Sequence, residues 1–321
     1  MRKLAVFAAI VFIACLIYVR IDKSPSSDAI SQALSDWKET AQIFHHEGYR
    51  ISYHDTGEKS KEVIVLLHGY PTSSFDWEEL WSDLSLQYRL VAMDMLGYGL
   101  SDKPDTIEYA ISNQTDILEG LLDHLQISEV HLLAHDVGDN IAQELLARAL
   151  ERIDYQSFEV KSVALLNGGL FPETHKPTTI QSLLKSPIGG VVSSLANQTL
   201  FDRSYSKVFG TNTKPTTQHL IDQWYLVCQQ GGNKINHKLI RYIQDRIDNR
   251  ERWVGALQQT NVPLLLIDGL LDPVSGEHMV ERYAELIPNP QIVKVDSIGH
   301  YPQVENVATV LEAYREFRES Q

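Results

Sequence analysis

Glu129-Val130-His131-Leu132-Leu133-Ala134-His135-Asp136-Val137-Gly138-Asp139-Asn140-Ile141-Ala142 opens as an apolar strand and changes, at Asp136, to a helical pattern that runs on to Arg148. The small residues Ala134 and Gly138 stand two places to either side of Asp136. Such a pair lets a strand and the helix after it approach closely, so that the residue between them stands exposed at a sharp elbow, the position of a nucleophile. Asp is also a preferred helix N-cap, and the stretch by itself allows both readings.

The rest of the chain weighs on that choice. Short apolar runs at Val63–Leu67, Arg89–Met93, Val160–Leu166, Pro263–Ile267 and Gln291–Val295 have the character of buried parallel strands, with helical stretches between them. We therefore expect an α/β fold, a mostly parallel sheet flanked by helices. The division read from the sequence is 1–20 membrane anchor, 21–42 linker, 43–170 first part of the core, 171–260 helical cap and 261–321 second part of the core. The inserted stretch carries Tyr205, Trp224, Tyr225, Tyr242 and Trp253. A lid of that kind excludes water and lines a pocket.

Three polar residues fall in loops that follow strands: Asp136, then Asp272 in Asp-Gly-Leu-Leu-Asp-Pro, then His300 in Gly-His-Tyr-Pro. Each alone has a bland explanation, as a cap, a turn or exposed polar surface. Nucleophile, acid and histidine in that order resemble the chain order of α/β-hydrolases. After Val63–Leu67 comes His68-Gly69-Tyr70-Pro71, whose turn can aim the N–H of Tyr70, together with that of Val137, at an oxyanion. The glycines of Asp94 to Asp102 complete neither a dinucleotide nor a phosphate-loop fingerprint and read as a structural turn.

Composition excludes other classes. A formal net charge of −14 without a Lys/Arg cluster removes the attraction that nucleic acid needs. Two cysteines far apart, Cys15 and Cys228, give no disulfide framework. His131 and His135 share a strand face but lie about 13 Å apart, too far for one ion, so neither metal nor cofactor is expected. Leu4–Val19 is apolar and flanked by Arg2, Lys3, Arg20 and Lys23. No small-residue cleavage site follows it, so it reads as an uncleaved single-pass anchor, in the endoplasmic reticulum of a eukaryote or the inner membrane of a bacterium.

An aspartate nucleophile selects the chemistry. Attack on an acyl carbon would give a high-energy anhydride, whereas attack on saturated carbon gives an alkyl ester. Water activated by His300, oriented by Asp272, would then attack the Asp136 carbonyl. Epoxide opening and halide displacement both fit, with a small lipophilic substrate and water as partners and the bilayer as a third. A non-catalytic ligand-binding or scaffolding role is the remaining alternative.

His68 to Pro71, Asp94 to Pro104, Ala134 to Gly138, Asp272 and His300 resemble the epoxide hydrolase and haloalkane dehalogenase branch of the α/β-hydrolases. Val137 departs from the Trp or Arg that follows the nucleophile in dehalogenases. The resemblance implies two proton-donating cap tyrosines: Tyr242 by position, and Tyr205 or Tyr225. For a dehalogenase it implies Trp224 or Trp253 as halide donor. The expected pocket comprises His68, His135, Trp224, Tyr225 and Tyr205. Longer blocks, Pro71 to Trp77, Asn167 to His175, Arg252 to Leu257 and His300 to Gln303, resemble the mesoderm-specific transcript proteins, which also begin with an apolar anchor.

Overall fold

The computed structural model describes residues 24–152 and 158–321. Eight strands, β1 (Gln42–His46), β2 (Tyr49–Asp55), β3 (Val63–Leu67), β4 (Arg89–Met93), β5 (Glu129–His135), β6 (Glu159–Leu166), β7 (Leu264–Gly269) and β8 (Gln291–Val295), form one sheet. Their spatial order is β1-β2-β4-β3-β5-β6-β7-β8. β1 and β2 pair antiparallel, as do β2 and β4, and the other neighbours are parallel.

The alternation of side chains along a strand explains the layers. In β3, Val65 and Leu67 enter one core and Ile64 and Leu66 the other. The first core takes residues from α3 (Ile111–His124), α4 (Val137–Glu151) and, later in the chain, Glu277–Leu286. The second takes Leu80 and Leu84 of α2 (Glu78–Ser85) and the helix Val307–Glu319. With both faces covered, every residue of β3 is buried, as its unbroken apolar sequence requires.

Within the expected linker the described residues carry one short α-helix, and it packs on the domain. Ser31 caps α1 (Gln32–Thr40) by accepting from Leu34 N at 3.1 Å. Trp37 packs edge-on to Trp81, ring centroids 5.0 Å apart. Gln42 then opens β1 rather than ending a spacer. The expected anchor, Leu4–Val19, lies outside the described residues, and among the described residues no helix is long and apolar enough to cross a membrane.

Seven α-helices lie between β6 and β7: α5 (Thr179–Lys185), α6 (Gly189–Ser194), α7 (Gln198–Ser206), α8 (Thr217–Cys228), α9 (Asn236–Leu239), α10 (Tyr242–Asp248) and α11 (Arg250–Gln259). The last belongs to the core layer: Trp253 Nε1 donates to Glu144 Oε2 of α4 at 2.7 Å. That bond engages the indole N–H of one of the two expected halide donors. Helix α12 (Glu277–Leu286) lies between β7 and β8, and α13 (Pro302–Glu305) and α14 (Val307–Glu319) follow β8.

Candidate active site

Asp136 sits at φ 47°, ψ −101°, between the end of β5 and the start of α4. A non-glycine residue held there costs of order 1–3 kcal/mol and persists only where its surroundings impose it. They do so here. Asp136 N donates to Leu166 O at 3.2 Å, Gly138 N donates to His68 O at 3.0 Å, and a Cβ on Gly138 would lie 2.3 Å from Leu67 O. The Asp136 side chain makes no hydrogen bond that caps its own helix. The N-cap function is therefore not what its carboxylate serves.

That carboxylate is 4% exposed and engaged on both oxygens. Oδ2 accepts from Tyr70 N at 3.1 Å, so the backbone N–H of the His-Gly-Tyr-Pro loop reaches the elbow. Val137 opens α4 buried beside it, where the N–H groups of a first turn have no partner within the helix. Oδ1 accepts from Arg246 Nη2 at 2.9 Å. Burial alone would raise the Asp136 pKa, but the nearby His300 and the charge of Arg246 outweigh it and hold the carboxyl well below the usual carboxylate range.

His300 Nδ1 lies 2.7 Å from Asp272 Oδ2, and its Nε2 is 3.9 Å from Asp136 Oδ2. Asp272 is fixed by Val274 N at 2.8 Å, Ser275 N at 3.1 Å, Ser275 Oγ at 2.8 Å and Asn167 Nδ2 at 3.2 Å. Burial opposes the charge of both His300 and Asp272, yet each stabilises the other, so the His300 pKa rises well above its ordinary value and that of Asp272 falls. Among the described residues, no group of three His, Cys, Asp or Glu side chains could hold a metal ion.

Asp136 and His300 open onto a largely apolar cavity under the cap, also lined by Tyr70, Tyr205, Trp224 and Tyr301. Trp224 Nε1 is buried without a hydrogen-bond partner. The Tyr205 hydroxyl shares a hydrogen bond of 3.1 Å with His219 Nε2. Other expected pocket residues do not line this cavity. Tyr225 points away from it, accepting from Lys38 Nζ at 2.7 Å. His68 Nε2 accepts from Met95 N at 3.0 Å, and His135 Nε2 is 2.8 Å from His300 O, so both rings brace backbone. Tyr242 is 1% exposed behind the cavity-lining Gln181, whose Nε2 donates to its hydroxyl at 3.1 Å. Its ring lies under the Arg246 guanidinium, 4.5 Å from carbon to centroid.

Residues 62–307 match the alpha/beta hydrolase fold family. The chain belongs to that family. The mesoderm-specific transcript protein of Mus musculus is 42% identical over 299 residues, which is 90% of this hydrolase and 88% of the mouse protein. The cis-3-alkyl-4-alkyloxetan-2-one decarboxylase of Shewanella oneidensis is 29% identical over 269 residues, 79% of this chain and 80% of its own. The crystal structure of haloalkane dehalogenase DatA from Agrobacterium tumefaciens superposes with a TM-score of 0.69 at 24% identity, covering 86% of this chain and 96% of that one, a likeness of fold. The turn at Asp94 is structural in this hydrolase as its sequence suggests: Asp94 accepts from Ser74 N at 2.8 Å and Leu100 N at 2.7 Å.

Proposed function

We propose that this hydrolase opens a lipophilic epoxide through an alkyl ester on Asp136. The observation that carries the reading is the position of the Asp136 carboxylate, ionised at the cavity wall with Tyr70 N on one oxygen and His300 Nε2 3.9 Å from it. An Asp136 oxygen attacks an epoxide carbon, the ring C–O bond breaks, and the departing oxygen takes a proton from the Tyr205 hydroxyl. His300 Nε2 then removes a proton from water, which adds to the Asp136 carbonyl carbon. The oxyanion falls between the N–H groups of Tyr70 and Val137. Collapse releases the diol and restores the carboxylate, with one water oxygen left in it, and the proton on His300 returns to Tyr205 through solvent.

Tyr205 takes the donor role here because it lines the cavity, whereas Tyr242 acts on the site through Arg246 and Gln181. Halide displacement is the second reading, favoured by the unpartnered Trp224 Nε1 on the cavity wall. A leaving halide needs N–H donors and no proton. The relative named for an oxetan-2-one makes a four-membered cyclic ester a further reagent.

The test is the intact mass of His300→Gln after exposure to epoxides, haloalkanes and an oxetan-2-one offered singly, because loss of the water-activating base traps the ester. An adduct of the whole epoxide supports the first reading, and reagent less hydrogen halide supports the second. A folded His300→Gln protein that takes up none of them refutes the alkyl-ester mechanism for these substrates and leaves the binding role.

A further inference from the structure

The longest stretch of the cap without a charged side chain opens at Ser186. From Ser186 through Phe201 the sequence has no Asp, Glu, Lys, Arg or His, in a chain that is 22% charged. That stretch is not buried as an uncharged segment ordinarily would be. It includes α6 and the start of α7, where Ile188 is 55% exposed, Val191 60% and Leu200 50%, and Leu183 on the adjoining α5 is 40% exposed. Their sequence neighbours Leu184 and Val192 line the active-site cavity, and Leu200 does both, exposed and lining it. Exposed apolar surface and cavity lining thus meet at Leu200. Exposed apolar side chains gathered on one short stretch of chain mark a contact site.

A second observation says what covers it. The chain enters the described structure at the cap. Ser31 N donates to Asp222 Oδ1 at 2.8 Å, and Gln218 Nε2 donates to Ala29 O at 3.0 Å, both on α8. α8 is the helix whose His219 bonds Tyr205 on α7, the helix that bears Leu200. The apolar run Leu4–Val19 ends ten residues before Ala29. Ten residues reach at most about 36 Å. A bilayer that holds that run therefore lies within reach of the same end of the molecule.

We propose that the exposed face of α5 to α7, formed by Leu183, Ile188, Val191 and Leu200, seats in the surface of a lipid bilayer, so that lipophilic substrate passes from the bilayer past Leu200 into the cavity. The passage of substrate rests on the function proposed above; the seating does not. A surface without charge loses no ionic hydration on entering the acyl boundary, and each apolar side chain that enters is stabilised by leaving water.

The experiment uses the full chain with Cys15→Ala and Cys228→Ser, in phosphatidylcholine vesicles that contain phosphatidylcholine spin-labelled on its acyl chain. An environment-sensitive fluorophore is placed through Val191→Cys or, as control, through Leu150→Cys, an exposed site on α4. Quenching several-fold stronger at 191 than at 150 is expected. Equal quenching at the two sites overturns the proposal, and so does a disulfide between two copies at 191, which would make a second chain the occupant. Val191→Glu should cut turnover of a vesicle-dissolved epoxide several-fold and leave that of a water-soluble epoxide unchanged. Strong quenching at 191 with neither epoxide consumed keeps the bilayer contact and removes the epoxide chemistry alone.

Discussion

Arg246 Nη2 holds Asp136 Oδ1 at 2.9 Å inside the protein, where the arginine is 2% exposed. Its Nε donates to Asn140 Oδ1 at 2.6 Å, so a cap residue grips both the elbow and the helix that follows it. The slot is narrow: a Cβ on Gly169 would come within 2.3 Å of Nη1. Removing one partner of a buried pair leaves the other charge uncompensated. Arg246→Leu should lower stability by about 3 kcal/mol and raise the pKa of Asp136, so the acid limb of ester formation moves to higher pH. Arg246→Lys should not rescue it, since an ammonium cannot fill a planar fork. Urea unfolding and the pH dependence of adduct formation test this; wild-type values in both would sink it.

His300 faces two carboxylates, Asp272 and Asp136, and their charge holds it protonated against the effect of burial. Esterification makes Asp136 neutral and removes one of those supports. The imidazolium therefore gives up its proton more readily after the first step, when a base is needed. Asp136→Asn mimics the neutral ester, and the His300 titration followed by NMR should have a lower midpoint in it than in wild type. The sign for stability follows. A raised histidine pKa contributes stability that is fully present below the unfolded value of 6.5 and is lost as pH rises through the higher folded value. Over that rise wild type should lose more stability than Asp136→Asn.

Tyr205 and Tyr225 were interchangeable in sequence and are not in space. Tyr205→Phe should slow ester formation on an epoxide by about a hundredfold, the low end of what general acid catalysis contributes, and leave ester formation on a haloalkane unchanged. Tyr225→Phe should leave both unchanged, because its hydroxyl serves Lys38. Single-turnover mass spectrometry separates the two. A Tyr205→Phe enzyme with the wild-type epoxide rate would remove Tyr205 from the mechanism.

Gly138→Ala puts a methyl group 2.3 Å from Leu67 O, and a backbone carbonyl in the middle of a sheet cannot yield as a flexible side chain would. Strand and helix must part. Loss of more than about 4 kcal/mol, the range of severe single substitutions, is expected in thermal or urea unfolding. A variant as stable as wild type would show that the close approach is not required.

What the sequence made legible followed from local rules. Val63–Leu67, Arg89–Met93 and Gln291–Val295 are strands over the residues their apolar runs mark. The elbow was legible because Ala134 and Gly138 stand at fixed offsets from Asp136. Arg246 was not, because nothing local distinguishes an arginine in a polar helix from one at the surface, and its partner lies 110 residues away. Trp224 and Tyr225 are consecutive on α8, so their side chains diverge by about 100°; which of them faces the cavity depends on how the helix is rotated, and the sequence does not record that. His68 and His135 sit beside the site in sequence, but both ring nitrogens of His68 and Nε2 of His135 are taken up by backbone.

The short helix α1 has a bearing on how the protein should be dissected. Its Trp37 fills a pocket among Phe75, Trp81 and His54, and Lys38 reaches Tyr225 on the far side. A truncation that begins at the first strand would discard this wedge together with the leading apolar run. Failure of such a fragment would then report a hole opened between cap and core, and would say nothing about whether the leader itself is needed; the informative cut lies before Ser31.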